Sequence, residues 1–282
     1  MQGRLHEHDN LGSAHVIAQP RFVRRPKSTF STASLGFIMA TAETQMSLPP
    51  RWGDDPLSAF LQQAFRNSLA TFVQKNPGFE LLSRIDRSFL RIGENLVNPP
   101  DILGAVLLLR SHSAYRAACR LTVSGQVTDT FPQLRACLEY ALYALRINQN
   151  GALAEAWLRR HDDDASHRTV RREFQHVTVM QTLEAVDPDL HRIIAALYER
   201  TIDFGAHPNE RAVTGSMVME REPGRVEIQQ IYLHGDSLAL DHAIKTTAQV
   251  GLGSLCVLQH IFRQRFEILG LRDVIDELRR VL

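Results

Sequence analysis

The sequence predicts an all-α protein, a single helical-bundle domain of seven to eight helices with one β-hairpin. Apolar residues recur at intervals of three and four through most of the chain after residue 50, which is the spacing of one helical face. Prolines, glycines and acidic residues divide these segments where helices begin and end. Segments 213–218 and 226–233 carry the β-branched residues of a hairpin, with Glu222-Pro223-Gly224 as its turn.

The composition excludes several classes of protein. Apolar residues make up 44% of the 282 residues and charged residues 22%, as in a globular protein that can bury a continuous core. The formal net charge is +1, so no global field attracts DNA or an anionic membrane, and we expect neither as a partner. The longest apolar runs, 102–109 and 250–258, are shorter than the roughly 20 residues that span a bilayer.

The cysteines indicate the redox environment. Cys119, Cys137 and Cys256 are far apart in the chain and form no Cys-x-x-Cys pair. Their odd number and wide spacing predict neither a disulfide framework nor a zinc ribbon. We therefore expect a reducing compartment and a cytoplasmic location.

Residues 1–50 differ from the rest of the chain. They are rich in Ser, Thr, Ala and Gly, lack helical periodicity, and contain three acidic residues beside a basic cluster between Arg21 and Lys27. Two interpretations are open: a transit-type leader, or a disordered extension upstream of a true start at Met39 or Met46. The composition favours the extension. Residues 51–282 then form the helical domain.

The first four predicted helices follow from caps and stops. An acidic cap at Asp54-Asp55 and a proline at position 56 start the first helix, because the missing N–H of proline costs nothing there. Its apolar residues recur at intervals of three and four and form one helical face, which consists of Leu57, Phe60, Leu61, Ala64, Phe65, Phe72 and Val73. The second helix carries apolar residues from Leu81 to Leu96. The third, 101–124, is nearly all apolar through Leu109 and is expected at the centre of the bundle. The fourth follows Thr128-Asp129 and ends near Asn150-Gly151.

The remaining helices follow the same reasoning. A long polar helix, 153–179, is expected to form an exposed wall because charged residues fill about four of its turns. The next begins after Asp187-Pro188 and ends at Gly205 and Pro208. After the hairpin, a long helix carries apolar residues from Leu238 to Phe262, and a short helix follows Gly270.

No metal or cofactor is predicted. Glu173 and His176 match the Glu-x-x-His spacing of di-iron carboxylate bundles, which use two such motifs on facing helices. The nearest second candidate, Asp164 with His167, lies on the same predicted helix and cannot close around a shared pair of ions. A solvated charged face is the favoured interpretation.

Three segments carry a resemblance to a known group of proteins. They are Ala117-Ala118-Cys119-Arg120, Gly125-Gln126, and 134–140, which reads Leu-Arg-Ala-Cys-Leu-Glu-Tyr. Together they resemble bacterial helical-bundle families of unknown function near the HEPN superfamily. In those families a helix ending in glycine precedes one with an Arg-x-x-x-Glu pair, and a later helix closes on His-Pro, as at 198–208 here. The resemblance covers roughly residues 100–265.

The resemblance implies a candidate catalytic pair. Active HEPN-like proteins cut RNA without metal, using Arg-x(4 to 6)-His on a helix, usually in a homodimer, and several act in stress or phage defence. Arg200 and His207 fit this pattern. Seven residues correspond to about 700 degrees of helix, so the two side chains are expected on nearly one face. Histidine would accept the 2′-hydroxyl proton while the arginine steadies charge on the phosphate.

The Arg-x(4 to 6)-His motif is weak evidence for catalysis in this chain, because it occurs about as often as chance predicts. The chain contains 29 arginines and 12 histidines, so about four matches are expected by chance. Three occur, and they are Arg160 with His167, Arg171 with His176, and Arg200 with His207. Only the surrounding resemblance distinguishes the last pair.

Two further pairs are candidate ligand-binding residues. Arg135 and Glu139 lie one turn apart in an otherwise apolar helix and either fix helix register or line a ligand cleft; the structural role is favoured. His112 and Arg116, one turn apart on the third helix, either point into one space or form a polar surface stripe.

Two functions are therefore carried forward. The first is a non-catalytic HEPN-like module that binds a partner protein or a nucleotide-like ligand near Arg135 and Glu139. The second is a metal-independent endoribonuclease using Arg200 and His207 across a homodimer axis. The binding module is favoured because the motif is at chance frequency and RNA binders usually carry a basic face. Convergence of Arg200 and His207 on one groove would favour the enzyme.

Overall fold

A computed structural model describes residues 48–99, 101–222 and 225–282 of the chain. This part is all-α with one hairpin, as predicted, but it contains twelve α-helices in place of seven to eight. The α-helices are α1 (Pro56–Gln74), α2 (Asn76–Glu94), α3 (Ile102–Val123), α4 (Val127–Gln149), α5 (Ala152–Leu158), α6 (Asp164–Glu173), α7 (His176–Val186), α8 (Pro188–Thr201), α9 (Glu210–Thr214), α10 (Leu238–Ile261), α11 (Arg263–Ile268) and α12 (Leu271–Val281). A π-helical turn, Ile202–Ala206, follows α8, and the strands are β1 (Met217–Glu222) and β2 (Arg225–Gln230).

Two predictions fall on residues that the structure does not describe. The extension or leader at 1–50 lies outside the described residues except for positions 48–50, and Pro223 and Gly224 of the predicted turn also lie outside them. Among the described residues, no helix combines the length and apolar character that crossing a bilayer requires.

The prediction of one polar helix over 153–179 is wrong, because the helix is interrupted twice in this segment. Asp163 starts α6 afresh, since its Oδ1 accepts a hydrogen bond from the Ser166 backbone N–H at 2.6 Å. The second break lies at Phe174, whose ring is buried and packs against Tyr143 with centroids 5.0 Å apart. Burying this ring turns the chain between α6 and α7.

The centre of the bundle is α10 as much as α3. All nine residues from Val250 to Leu258 are buried, whereas α3 leaves Ile102 and Val106 exposed. Gly251 permits this close packing, because a Cβ there would lie 2.3 Å from the Tyr115 ring. Helix α3 packs between α2, α4 and α10.

Most of the apolar face of α1 lies on the surface. The buried residues of α1 are the small side chains of Ser58, Ala64 and Thr71, while most of the large apolar residues that periodicity identifies are exposed. Asn67 fastens the packed side by donating its Nδ2 to the Ser124 carbonyl oxygen at 3.2 Å. Periodicity located the helix, but the small face is the one that fits against α3.

The hairpin begins later than predicted. Strand β1 pairs antiparallel with β2 in a register that places Met217 opposite Gln230. Residues 213–214 belong to α9, because Asn209 Oδ1 accepts a hydrogen bond from the Ala212 N–H at 2.9 Å and caps that helix.

Candidate functional site

Arg200 lies on α8 and faces α10. Its Nη1 donates a hydrogen bond of 2.7 Å to Gln249 Oε1, and the side chain is half-buried. It forms no ion pair with any carboxylate of the described residues. Its hydrogen-bond partner among the described residues is therefore the neutral side-chain amide of Gln249.

His207 does not share a continuous helical face with Arg200. Helix α8 ends at Thr201, and the π-helical turn ends with His207 in an extended conformation, φ −142° and ψ 139°. The imidazole is exposed, and its Nδ1 lies 3.4 Å from the Pro208 carbonyl oxygen. The expectation of a shared face is wrong because the helix ends before the histidine.

The break in the helix has a local cause at Gly205. A Cβ at this position would lie 2.2 Å from the Thr128 carbonyl oxygen, so the backbone of the π-helical turn approaches α4 more closely than any side chain allows. Phe204 stacks on Phe131 of α4, with ring centroids 5.5 Å apart. These two contacts hold the turn against the bundle.

A groove lies where α8, α10 and α12 meet, and Arg200 forms part of its wall. Its volume is about 330 Å³, within the range of small-ligand pockets. Arg279 of α12 supplies a second guanidinium, which donates to Cys256 Sγ at 3.2 Å. The remaining lining is mostly apolar and includes Leu190, Ile193, Leu197 and Leu252. His207 does not line this groove.

Arg135 and Glu139 form the predicted pair, and the structure adds partners to it. Arg135 Nε donates to Glu139 Oε1 at 2.8 Å, and the Tyr198 hydroxyl donates to the same oxygen at 2.9 Å. The Arg135 guanidinium also lies 5.1 Å from the Tyr198 ring centroid. The His176 ring also stacks on the Tyr198 ring, with centroids 3.8 Å apart.

The electrostatics of this cluster favour a structural role, in which its polar groups bind one another. Burial, followed by the negative charge of Glu139, raises the pKa of Tyr198, so the phenol stays protonated and donates. Burial lowers the pKa of His176, which keeps the imidazole neutral at pH 7. The charges of Arg135 and Glu139 are therefore already paired with each other within the cluster.

His112 and Arg116 converge on one residue, Asp86 of α2. Arg116 donates through Nε to Asp86 Oδ1 at 2.6 Å and through Nη2 to Oδ2 at 2.9 Å. His112 Nε2 lies 2.7 Å from Asp86 Oδ1, and its ring stacks on Phe89 at 5.1 Å. Burial opposes ionisation of Asp86, but the hydrogen bonds from Arg116 and His112 outweigh it and hold its pKa well below the usual range.

The Glu-x-x-His motif is divided between two helices. Glu173 ends α6 and binds Arg146, with Nη2 to Oε2 at 2.7 Å, and Arg172 at 3.0 Å. His176 begins α7 and stacks on Tyr198. The two side chains therefore have separate partners and are not brought together.

Sequence reasoning missed Asp86, Gln249 and Arg279. Asp86 carried a usable signal, because it follows Ile85 and precedes Phe89 by three residues, which places an acid at the margin of a buried helical face. Gln249 and Arg279 carried none, because their proximity to Arg200 depends on contacts between helices distant in sequence.

Comparison with known proteins identifies no relative: no protein-family model, no curated protein and no solved structure matches the chain. The resemblance to families near the HEPN superfamily therefore stays a prediction from the residues.

Proposed function

We propose that the protein is a non-catalytic binding module and that its ligand is an anionic amphipathic molecule held in the groove between α8, α10 and α12. The observation that carries this proposal is Arg200, a guanidinium without a carboxylate partner among the described residues, at the wall of a groove whose lining is mostly apolar. The Arg135 and Glu139 pair, which the binding-module hypothesis named as the vicinity of the ligand, is occupied by its own partners.

The chemistry of the groove selects the ligand class. A guanidinium binds carboxylate and phosphate through a planar fork of donors. Arg200 and Arg279 both line the groove, and Arg279 also contacts Cys256 and Asp276. Leu190 and Leu197 of α8 and Leu252 of α10 form an apolar floor, and Ile193 lies exposed at the rim. A ligand with an anionic head group beside the arginines and an apolar chain along the floor would match both the charged and the apolar lining of the groove.

Two features support binding without catalysis. The pair expected to cut RNA is divided, since Arg200 lines the groove and His207 does not. Among the side chains that line the groove, the polar ones are Arg200, Arg279, Gln249 and the Cys256 thiol, whose pKa is raised by burial, so these side chains include no ready general base. A role in stress or phage defence stays a prediction from the resemblance.

Calorimetric titration of the full chain with decanoate and with decan-1-ol tests the proposal. The two probes share an alkyl chain and differ in charge. We expect decanoate to bind at least about tenfold more tightly than the alcohol, and Arg200→Ala to weaken decanoate about tenfold, roughly the value of one charge-assisted contact.

Arg192→Ala is the matched control, because Arg192 lies on the same helix, is highly exposed and pairs with Asp189. It removes the same charge and should leave affinity unchanged. Absence of decanoate binding, equal binding of both probes, or equal affinity in Arg200→Ala and the parent would each refute the proposal.

A further inference from the structure

Helix α1 carries a row of exposed apolar side chains. Every fourth residue along one line of the helix is large and apolar, and the five have exposures of 66, 38, 58, 53 and 73% at Leu57, Leu61, Phe65, Leu69 and Val73. Phe72, beside this row, is 49% exposed. We call these six side chains the α1 ridge. Contiguous exposed apolar surface of this kind marks an interaction site.

The exposure of the α1 ridge does not come from a detached helix. The opposite side of α1 is fastened by the Asn67 hydrogen bond to the Ser124 carbonyl oxygen and by buried Ala64 and Thr71. Phe72 also contacts Phe79 of α2 edge-on, with ring centroids 4.9 Å apart. The ridge is therefore held in place on the surface of the bundle.

The charge of α1 favours a second copy of this chain as the partner. Arg66 is the one ionisable side chain between Pro56 and Gln74. A twofold interface places each surface against itself, so a helix with many like charges would repel its copy, whereas α1 contributes a single arginine per copy. A partner recognised by charge would need complementary groups that α1 lacks.

The spacing of the α1 ridge also suits self-association. Rows of side chains at i±4 on two helices interdigitate when the helices cross at about −50°, the commonest packing class in globular proteins. Two copies of α1 present the same row and can form this packing with one another. We propose that α1 pairs with α1 of a second copy about a twofold axis that passes beside Phe65, the middle residue of the row.

The exposed area is close to what a stable dimer needs. A whole aromatic side chain offers roughly 150–250 Å², so the six partly exposed members of the α1 ridge offer on the order of 600 Å². A standard interface buries about 800 Å² per partner. Leu48 and Trp52, 50% and 40% exposed just before α1, supply further apolar surface.

Sedimentation velocity of the full chain tests the proposal, using the parent, Phe65→Glu and Phe65→Lys. We expect the parent to be dimeric and each variant monomeric, because the twofold axis brings two like charges together. Mixing the two variants should restore a dimer, since glutamate then meets lysine. Ile268→Glu, at an 80% exposed position on α11, is the control and should remain dimeric.

Thermal unfolding of the same samples separates the alternatives. A monomeric parent overturns the proposal. If Phe65→Glu also lowers the melting temperature of that monomer, a segment of the same chain covers the α1 ridge. Monomeric variants that stay monomeric on mixing would show that Phe65 does not lie at the axis, and would overturn it as well.

Discussion

The Tyr198 hydroxyl on α8 and Glu139 on α4 are joined by a 2.9 Å hydrogen bond, to the same oxygen that Arg135 contacts. The Arg135 and Glu139 pair on α4 is thus tied to α8, a helix distant in sequence, through Tyr198. This arrangement agrees with the structural role that the sequence favoured for the pair.

Removing the phenol oxygen should destabilise the fold. Tyr198→Phe deletes a hydrogen bond to a charged acceptor in a buried residue, and we expect a loss of about 1 to 2 kcal/mol in the free energy of unfolding. Urea denaturation measures it. Tyr232→Phe, at a 69% exposed tyrosine, is the control and should have no effect. Equal stability of Tyr198→Phe and the parent would mean that the hydrogen bond does not link the helices.

Asp86 should make stability depend on acid pH. Its pKa in the folded protein is lowered, so its contribution is present above the unfolded value of about 3.9 and is lost as pH falls below it. We expect Asp86→Asn to be less stable than the parent at pH 6, with the difference shrinking below about pH 4. Asp189→Asn, at an exposed acid, should show no such convergence. A difference that does not change with pH would contradict the assignment.

Substitution of Gly205 should lower the free energy of unfolding more than substitution of a glycine that has free space around its Cα. Gly205→Ala would place a Cβ 2.2 Å from the Thr128 carbonyl oxygen, so the π-helical turn must move away from α4. We expect a loss of about 2 kcal/mol or more, measured by thermal or urea unfolding. Gly151→Ala, with nothing within 4 Å of the added atom, is the matched control and should be near neutral.

The ribonuclease hypothesis has a direct test in the cleavage of total RNA by the full chain in EDTA. We expect no cleavage by the parent or by His207→Ala, since the helix carrying Arg200 ends before His207. Cleavage by the parent that disappears in a folded His207→Ala would instead establish the metal-independent enzyme.

Helix positions were the most predictable part of the fold. Local caps decide them: Asp55 accepts from the Leu57 and Ser58 N–H groups at the start of α1, and Asp187 accepts from Leu190 at the start of α8. Such signals lie within a few residues of each other and can be read from the chain. The break at Phe174 could not be, because it depends on burying that ring against Tyr143 of another helix.

The candidate sites also combine residues that the local sequence singles out with residues that only contacts between helices bring near. For His112 and Arg116 the sequence left open one shared space or a polar surface stripe; in the structure both contact Asp86, which comes from α2. Arg200 was singled out with His207, yet its neighbours are Gln249 and Arg279, which nothing in the local pattern connects to it.

The sequence by itself determined an all-α chain with one hairpin, because apolar periodicity and helix caps act over one or two turns. Only the tertiary structure decided which apolar faces are covered, since burial depends on the shape of the surface opposite. Helix α1 shows the reason most directly: periodicity identifies its large apolar face, but its small side chains fit against the bundle, and most of the large ones stay exposed.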